Sequence, residues 1–303
     1  RDERMASWLL LACAGRLVTG SPRRVILTGG AAVVATGVLG LEAYMRAPLP
    51  LPSSAGDPWA ALERLLPPSR PESLVLVFPG LAGPDANSAA VVAGLRRARK
   101  RSVVVELDWR PWVGGELRGA GNGRALGAQL GRRLAAWASE PATGSSASSG
   151  FIRNLHFVGI SVGSQAADAA CNAFADGCCE PRPPHRQLTL LDPFTASGLV
   201  GLVVAPRAFG VLRFGEHADY AEAVLNRDDP VPSTNLPLRR AVTYDVTRAA
   251  ARANFTPLPQ DSLHSWPVAW YGANAEALLA RAGPAPSHSV DRTRERGAVV
   301  LVP

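Results

Sequence analysis

Cysteine is scarce in this chain, with four residues in 303, and none falls in a CxxC pair or at metal-ligand spacing. That excludes a zinc-finger pattern and a CxxC redox motif. Cys178 and Cys179 are adjacent in a loop-like stretch (DGCCEPRPP) that allows one disulfide, and the redox compartment stays open. Charge is also sparse, at 19% of residues, with a net +7 that is mostly Arg. No aromatic platform or recognition motif accompanies it, which argues against nucleic-acid binding. The one dense basic run, residues 96–101 (RRARKR), reads as a solvated helix end favoured by the dipole, with anionic lipid headgroups as the alternative. Internal repeats are absent. Long low-complexity sequence is absent too, the nearest being TGSSASSG at 143–150, a flexible loop.

What is present is ordinary globular material: 47% hydrophobic residues, with 29 glycines and 26 prolines to make turns. The organisation falls into residues 1–56, 57–285 and a polar tail, 286–303. In the first part, residues 25–41 carry no charge and follow Arg23-Arg24. As a helix they span roughly 25 Å, at the short end for a bilayer. The paired arginines before a mild apolar stretch also look like a twin-arginine export signal. The expectation is an N-terminal apolar helix serving as targeting segment or membrane anchor. Residues 21–45 would then associate with a membrane, and the protein would be membrane-associated or exported.

From Asp57 onward strand and helix signals alternate. Continuous apolar runs at 73–78, 102–107, 155–159, 188–191, 221–226 and 241–246 read as buried parallel strands. Helices are expected at 85–100, 123–139, 162–174 and 266–282. The pattern predicts an α/β fold, a mostly parallel central sheet covered by helices on both faces. In such sheets chemistry collects at the carboxyl ends of the strands.

Gly159-Ile160-Ser161-Val162-Gly163 sits where a strand runs directly into an alanine-rich helix. GxSxG alone is weak, but a sharp strand-to-helix turn needs small flanking residues and lifts the serine onto the helix N-terminus. Ser161 is therefore the candidate nucleophile, and it needs a base. Among five histidines, His156 reads as core, His185 and His217 as loop residues, and His288 as tail. His264 follows the last of these strands and precedes the closing helix, where a base belongs in the order Ser, Asp, His. The acid stays open. Asp192 ends the fourth strand, and Asp228 and Asp229 end the fifth.

Several further pieces occur in order: VFPGLAG after the first strand, Leu107-Asp108-Trp109, GISVG, Leu191-Asp192-Pro193, Ala218-Asp219-Tyr220 and Leu263-His264-Ser265. Together they resemble the pancreatic-lipase-type branch of the α/β hydrolases, over about residues 74–271. The resemblance implies the α/β-hydrolase fold, Asp192 as the acid, and backbone amides of Leu81 and Val162 as oxyanion donors. The chain departs from that pattern at Pro79, where a His often precedes the Gly, and in having no Cys beyond Cys179 to bound a lid. Residues 194–214 are almost entirely apolar and read either as packing at the sheet edge or as a lid or acyl-chain wall.

The expected activity is serine-dependent carboxylic ester hydrolysis through an acyl-enzyme, lipase- or phospholipase-like, on a lipid ester. No metal or organic cofactor is called for, and no protein partner is indicated. The rival reading is a catalytically silent hydrolase-fold subunit of a membrane-associated complex. Acyl transfer is a third.

Overall fold

The computed structural model describes residues 28–47, 50–139, 151–178, 183–258, 261–282 and 296–303. The first 27 residues, with Arg23-Arg24 of the export-signal reading, the TGSSASSG loop, Cys179 and His288 lie outside them. The chain divides into two units, Arg1–Leu39 and Gly40–Pro303. Helix α1, Thr28–Arg46, begins in the first unit and ends in the second. Among the described residues no helix is long and apolar enough to cross a membrane.

The second unit is built on seven strands: β1 Ser73–Phe78, β2 Val103–Glu106, β3 Asn154–Ile160, β4 His185–Leu191, β5 Tyr220–Leu225, β6 Val242–Asp245 and β7 Val299–Leu301. They pair in the order β2-β1-β3-β4-β5-β6-β7, and every pairing is parallel. The helices are α2 Pro58–Glu63, α3 Ala86–Ala98, α4 Glu116–Ser139, α5 Gly163–Gly177, α6 Leu199–Val203, α7 Phe209–Arg213 and α8 Trp266–Ala282.

Parallel strands need crossovers, and crossovers bury both sheet faces, which is why the strands are apolar throughout. Alternation within β1 shows the consequence. Leu74, Leu76 and Phe78 pack with Leu126, Leu130 and Leu134 of α4 and with Ala166, Ala170 and Phe174 of α5. Val75 and Val77 point the other way, to Val91 and Leu95 of α3 and to Trp266, Val268 and Tyr271 of α8.

Two differences from the sequence expectation have physical causes. Helix α4 starts at Glu116, seven residues before the expected 123, and the glycines of this added stretch are contact points. A Cβ at Gly119 would lie 2.7 Å from Leu81 Cδ1, and one at Gly121 would lie 2.9 Å from Met45 O. Tertiary packing overrides helix propensity there. Strand β7 forms inside what reads as tail: Thr243 pairs with Val299 and Asp245 with Leu301 at the sheet edge. Three residues are too few for periodicity to mark.

Candidate active site

Chain order and strand order part company at β1. The chain steps from β1 outward to β2, then returns to place β3 on the other side of β1. Loops leaving the carboxyl ends of β1 and β3 therefore diverge, and the crevice between them is where open parallel sheets place ligands. Ser161 follows β3 and Gly80-Leu81 follows β1. Both line one cavity of about 260 Å³, together with His264.

Ser161 has φ +51°, in the left-handed region that side chains other than Gly rarely adopt. Its N–H donates to Leu191 O (2.9 Å), and its carbonyl accepts from Ser164 N and Phe194 N, both at 3.1 Å. These bonds hold a two-residue reversal, Ser161-Val162, between β3 and α5. The flanking glycines are obligatory. A Cβ at Gly159 would sit 2.5 Å from Ser164 Cα, and one at Gly163 would sit 2.3 Å from Phe78 O. Small residues are thus required where the sequence placed them.

The facing wall is the turn after β1. Trp109, fully buried, donates its indole N–H to Pro79 O (2.8 Å) and fixes that turn. A Cβ at Gly80 would be only 3.7 Å from Ser161 Cβ, so the turn passes directly over the serine. Neither the Leu81 N–H nor the Val162 N–H has a partner among the described backbone hydrogen bonds. Gly119 of α4 packs on both of those side chains. Two unengaged amides beside a serine at a helix N-terminus suit a developing oxyanion. Neighbouring Asp108 is held below the ordinary carboxylate range by its hydrogen bond from Arg110 and points away into that ion pair.

Across the cavity, His264 lies in a short helical turn, Leu263–Ser265, whose N-cap Ser262 accepts from the His264 N–H (3.1 Å). Its Nδ1 is 2.7 Å from Asp192 Oδ2 and also 2.7 Å from Asp229 Oδ2. Two of the three candidate acids are therefore brought to the imidazole. Asp228 is not: it is exposed and bonded to Arg252 Nη1 at 2.9 Å. Asp192 has φ +44° and is fully buried, with its Oδ1 accepting from Asn226 N (3.2 Å). Asp229 Oδ1 accepts from Val231 N (3.0 Å), and the Thr234 hydroxyl donates to Asp229 Oδ2.

The electrostatics of this cluster are in tension. Burial pushes Asp192 well above the ordinary carboxylate range, against the pull of His264. Burial acts on Asp229 too, but hydrogen bonds from His264 and Asp192 outweigh it and hold Asp229 low. Burial disfavours charge on His264, yet the two carboxylates prevail and raise it to about 10. With both carboxylates charged, a base held that high would stay protonated at neutral pH, so the serine chemistry requires one of the two to be neutral.

The remaining expectations distribute plainly. His156 is buried in β3 with Nε2 2.8 Å from Thr189 Oγ1, and burial drives its pKa down. His185 opens β4 instead of lying in the loop before it. His217 is exposed, near Asp176 (3.2 Å). Cys178 is disulfide-bonded and Cys171 is a buried free thiol. Residues 194–214 form a loop and the short helices α6 and α7. Val200, Val203 and Val204 are exposed there, and none of the segment lines the cavity.

Three supporting residues escaped the sequence reading. Asn226, buried at the end of β5, donates to Leu263 O (3.3 Å) and so ties the acid loop to the histidine turn. Ser233, at φ +62°, accepts from Thr195 N through its carbonyl (3.0 Å) and steadies the loop after Asp192. Asn87 of α3 donates to Asp261 Oδ2 (2.9 Å) at the cavity rim. A polar residue ending an apolar strand was the only available signal, and it pointed to Asn226.

Asp192, Asp229 and His264 form the one group among the described residues whose donor atoms lie close enough together to hold a metal, all within 4.8 Å. Ligands bound at about 2.1 Å in a tetrahedral shell lie roughly 3.4 Å apart. Separations of 2.7 Å from Nδ1 to each carboxylate are instead hydrogen-bond distances.

No known family model matches the chain, and no curated protein matches it.

Proposed function

We propose that the chain is a carboxylic ester hydrolase of the α/β-hydrolase kind, acting through an acyl-enzyme on Ser161. The observation that carries this reading is the meeting of a strained serine turn and a carboxylate-held histidine on one cavity at the switch point of the sheet. In the reaction, His264 Nε2 takes the Ser161 proton as Oγ attacks the ester carbonyl. The tetrahedral oxyanion lies toward the Leu81 and Val162 amides. Collapse expels the alcohol, which takes its proton from His264. Water then repeats the sequence on the acyl-enzyme and releases the acid.

The cavity holds the reacting ester and a short group, with Leu81, Ile160 and Val268 on its apolar side and Asp85, Asn87 and Asp261 at its polar rim. A long acyl chain, as in a lipid ester, would extend beyond it over the surface. The silent-subunit reading calls for a plugged serine, whereas Ser161 is partly exposed and lines the cavity.

A fluorophosphonate probe on the folded protein tests the proposal. Labelling should occur and vanish in Ser161→Ala. Folded wild-type protein that neither labels nor hydrolyses a p-nitrophenyl ester would sink it.

A further inference from the structure

The hydrolase reading leaves one feature unexplained: two carboxylates meet one imidazole nitrogen. A neutral imidazole has a single Nδ1–H, and each Oδ2 lies 2.7 Å from that atom. A carboxylate oxygen of each aspartate lies within 4.8 Å of the other's. Two bare carboxylates that close together in a buried site repel, and both offer only acceptors, so a proton on one of them relieves the repulsion and supplies the missing donor. The surroundings decide which. Asp192 is fully buried and its oxygens meet one backbone donor, Asn226 N–H. Asp229 receives two further donors, the Val231 N–H and the Thr234 hydroxyl. Donors stabilise the charged form and burial the neutral form.

We infer that Asp192 and Asp229 share one proton, carried by Asp192 and donated to Asp229, so that Asp229 is the charged residue that orients His264 and Asp192 is a neutral positioning residue beneath it. The inference rests on the proposed serine chemistry for its kinetic part only. It reverses the assignment that the resemblance implies, in which Asp192 is the charged acid.

The proton count then closes. At rest Nδ1 carries its proton toward Asp229 and Nε2 is free. When Nε2 takes the Ser161 proton, the imidazolium faces one carboxylate, and the cluster moves from one net negative charge to none. With both carboxylates charged, His264 would hold its second proton at rest and the serine would lack a base. The other titratable groups on the surrounding loops are engaged elsewhere: Asp228 with Arg252, Asp245 with Arg227 and Asp261 with Asn87.

The test has two arms on the full chain. The first is infrared difference spectroscopy at pH 7, which sees a protonated carboxyl whether or not the protein turns over. A band assignable to this pair should be lost in Asp192→Asn and kept in Asp229→Asn. Loss in Asp229→Asn alone reverses the assignment, and loss in neither variant overturns the shared proton.

The second arm is kcat/KM against pH with a p-nitrophenyl ester. Asp192→Asn preserves a neutral donor to Asp229 and should stay within roughly tenfold of wild type, the worth of one hydrogen bond. Asp229→Asn removes the charge, and activity should fall about 10²–10⁴-fold at pH 7. What remains should rise with pH as buried Asp192 is forced to ionise. Thr234→Val is a milder variant that should move the acid limb upward without abolishing turnover. Equal losses in both Asn variants, with unshifted limbs, overturn the inference. A wild-type protein with no esterase activity but the expected infrared band would refute the enzyme and leave the shared proton standing.

Discussion

The serine turn and the histidine held by two aspartates share one cavity, yet they are made in opposite ways. The turn is five contiguous residues whose geometry is dictated within the segment and by β1 directly beneath it. The cluster gathers Asp192, Asp229 and His264 from three loops, with 72 and 35 residues separating each acid from the histidine. One half is therefore specified by steric exclusion and the other by long-range hydrogen bonding. A steric requirement leaves a sequence signature, whereas a convergence of loops does not.

Ser161→Ala is the sharpest way to separate chemistry from construction in the contiguous half. Ester hydrolysis should drop by about 10⁴-fold or more. The denaturant midpoint should stay close to wild type, since the alanine keeps every backbone bond of the turn. Gly163→Ala reverses that pattern. Its Cβ would overlap Phe78 O at 2.3 Å, so equilibrium unfolding should show a loss of about 3 kcal/mol or more. If Gly163→Ala folds with unchanged stability, the steric account of the turn fails.

The same division explains what could be read without a structure. The GxSxG segment, β1 at residues 73–78 and α8 at 266–282 were legible because apolar runs and glycine spacing are local facts. The order of residues in the chain suggested that His264 would meet Ser161, and the two share one cavity. Which aspartate meets His264 was not legible, because Asp192, Asp228 and Asp229 all follow strands before a turn or a proline, and only loop convergence distinguishes them. Asp228 turned outward to Arg252 while its neighbour turned inward. Thr234 carries no pattern at all, being recognisable only by the carboxylate it meets. The early start of α4 was hidden for a related reason, its glycines being selected by neighbours distant in sequence.

Two smaller effects sharpen the contrast. Asp168 lies in α5, the helix that carries the serine, and burial raises its carboxyl to about 7 despite bonds from Gly215 N and Asn172 Nδ2. A raised folded-state value gives stability that is complete below the ordinary carboxylate range, near 3.8, and is lost as pH rises through about 7. Denaturation at pH 5 and pH 8 should therefore show a drop, worth a few kcal/mol at most, that Asp168→Asn diminishes. An identical pH response in the variant would remove Asp168 as the source. Asp228→Asn should shift stability by less than about 0.5 kcal/mol and leave the kcat/KM profile unchanged, as an exposed ion pair is worth little. A large activity loss there would restore Asp228 to the cluster.

The left-handed backbone at Ser161, Asp192 and Ser233 accounts for every non-glycine residue with positive φ among those described. Ser161 lines the cavity, Asp192 bonds the histidine that shares it, and Ser233 braces the loop after Asp192, so among the described residues this conformational cost gathers around the candidate site. Such a protein sits below the stability its scaffold would otherwise reach. Glycine at position 161 would release about 1 kcal/mol of that cost relative to alanine. Stability alone would thus favour glycine over serine at this position, a trade-off against the proposed chemistry that comparison of the Gly and Ala variants would quantify.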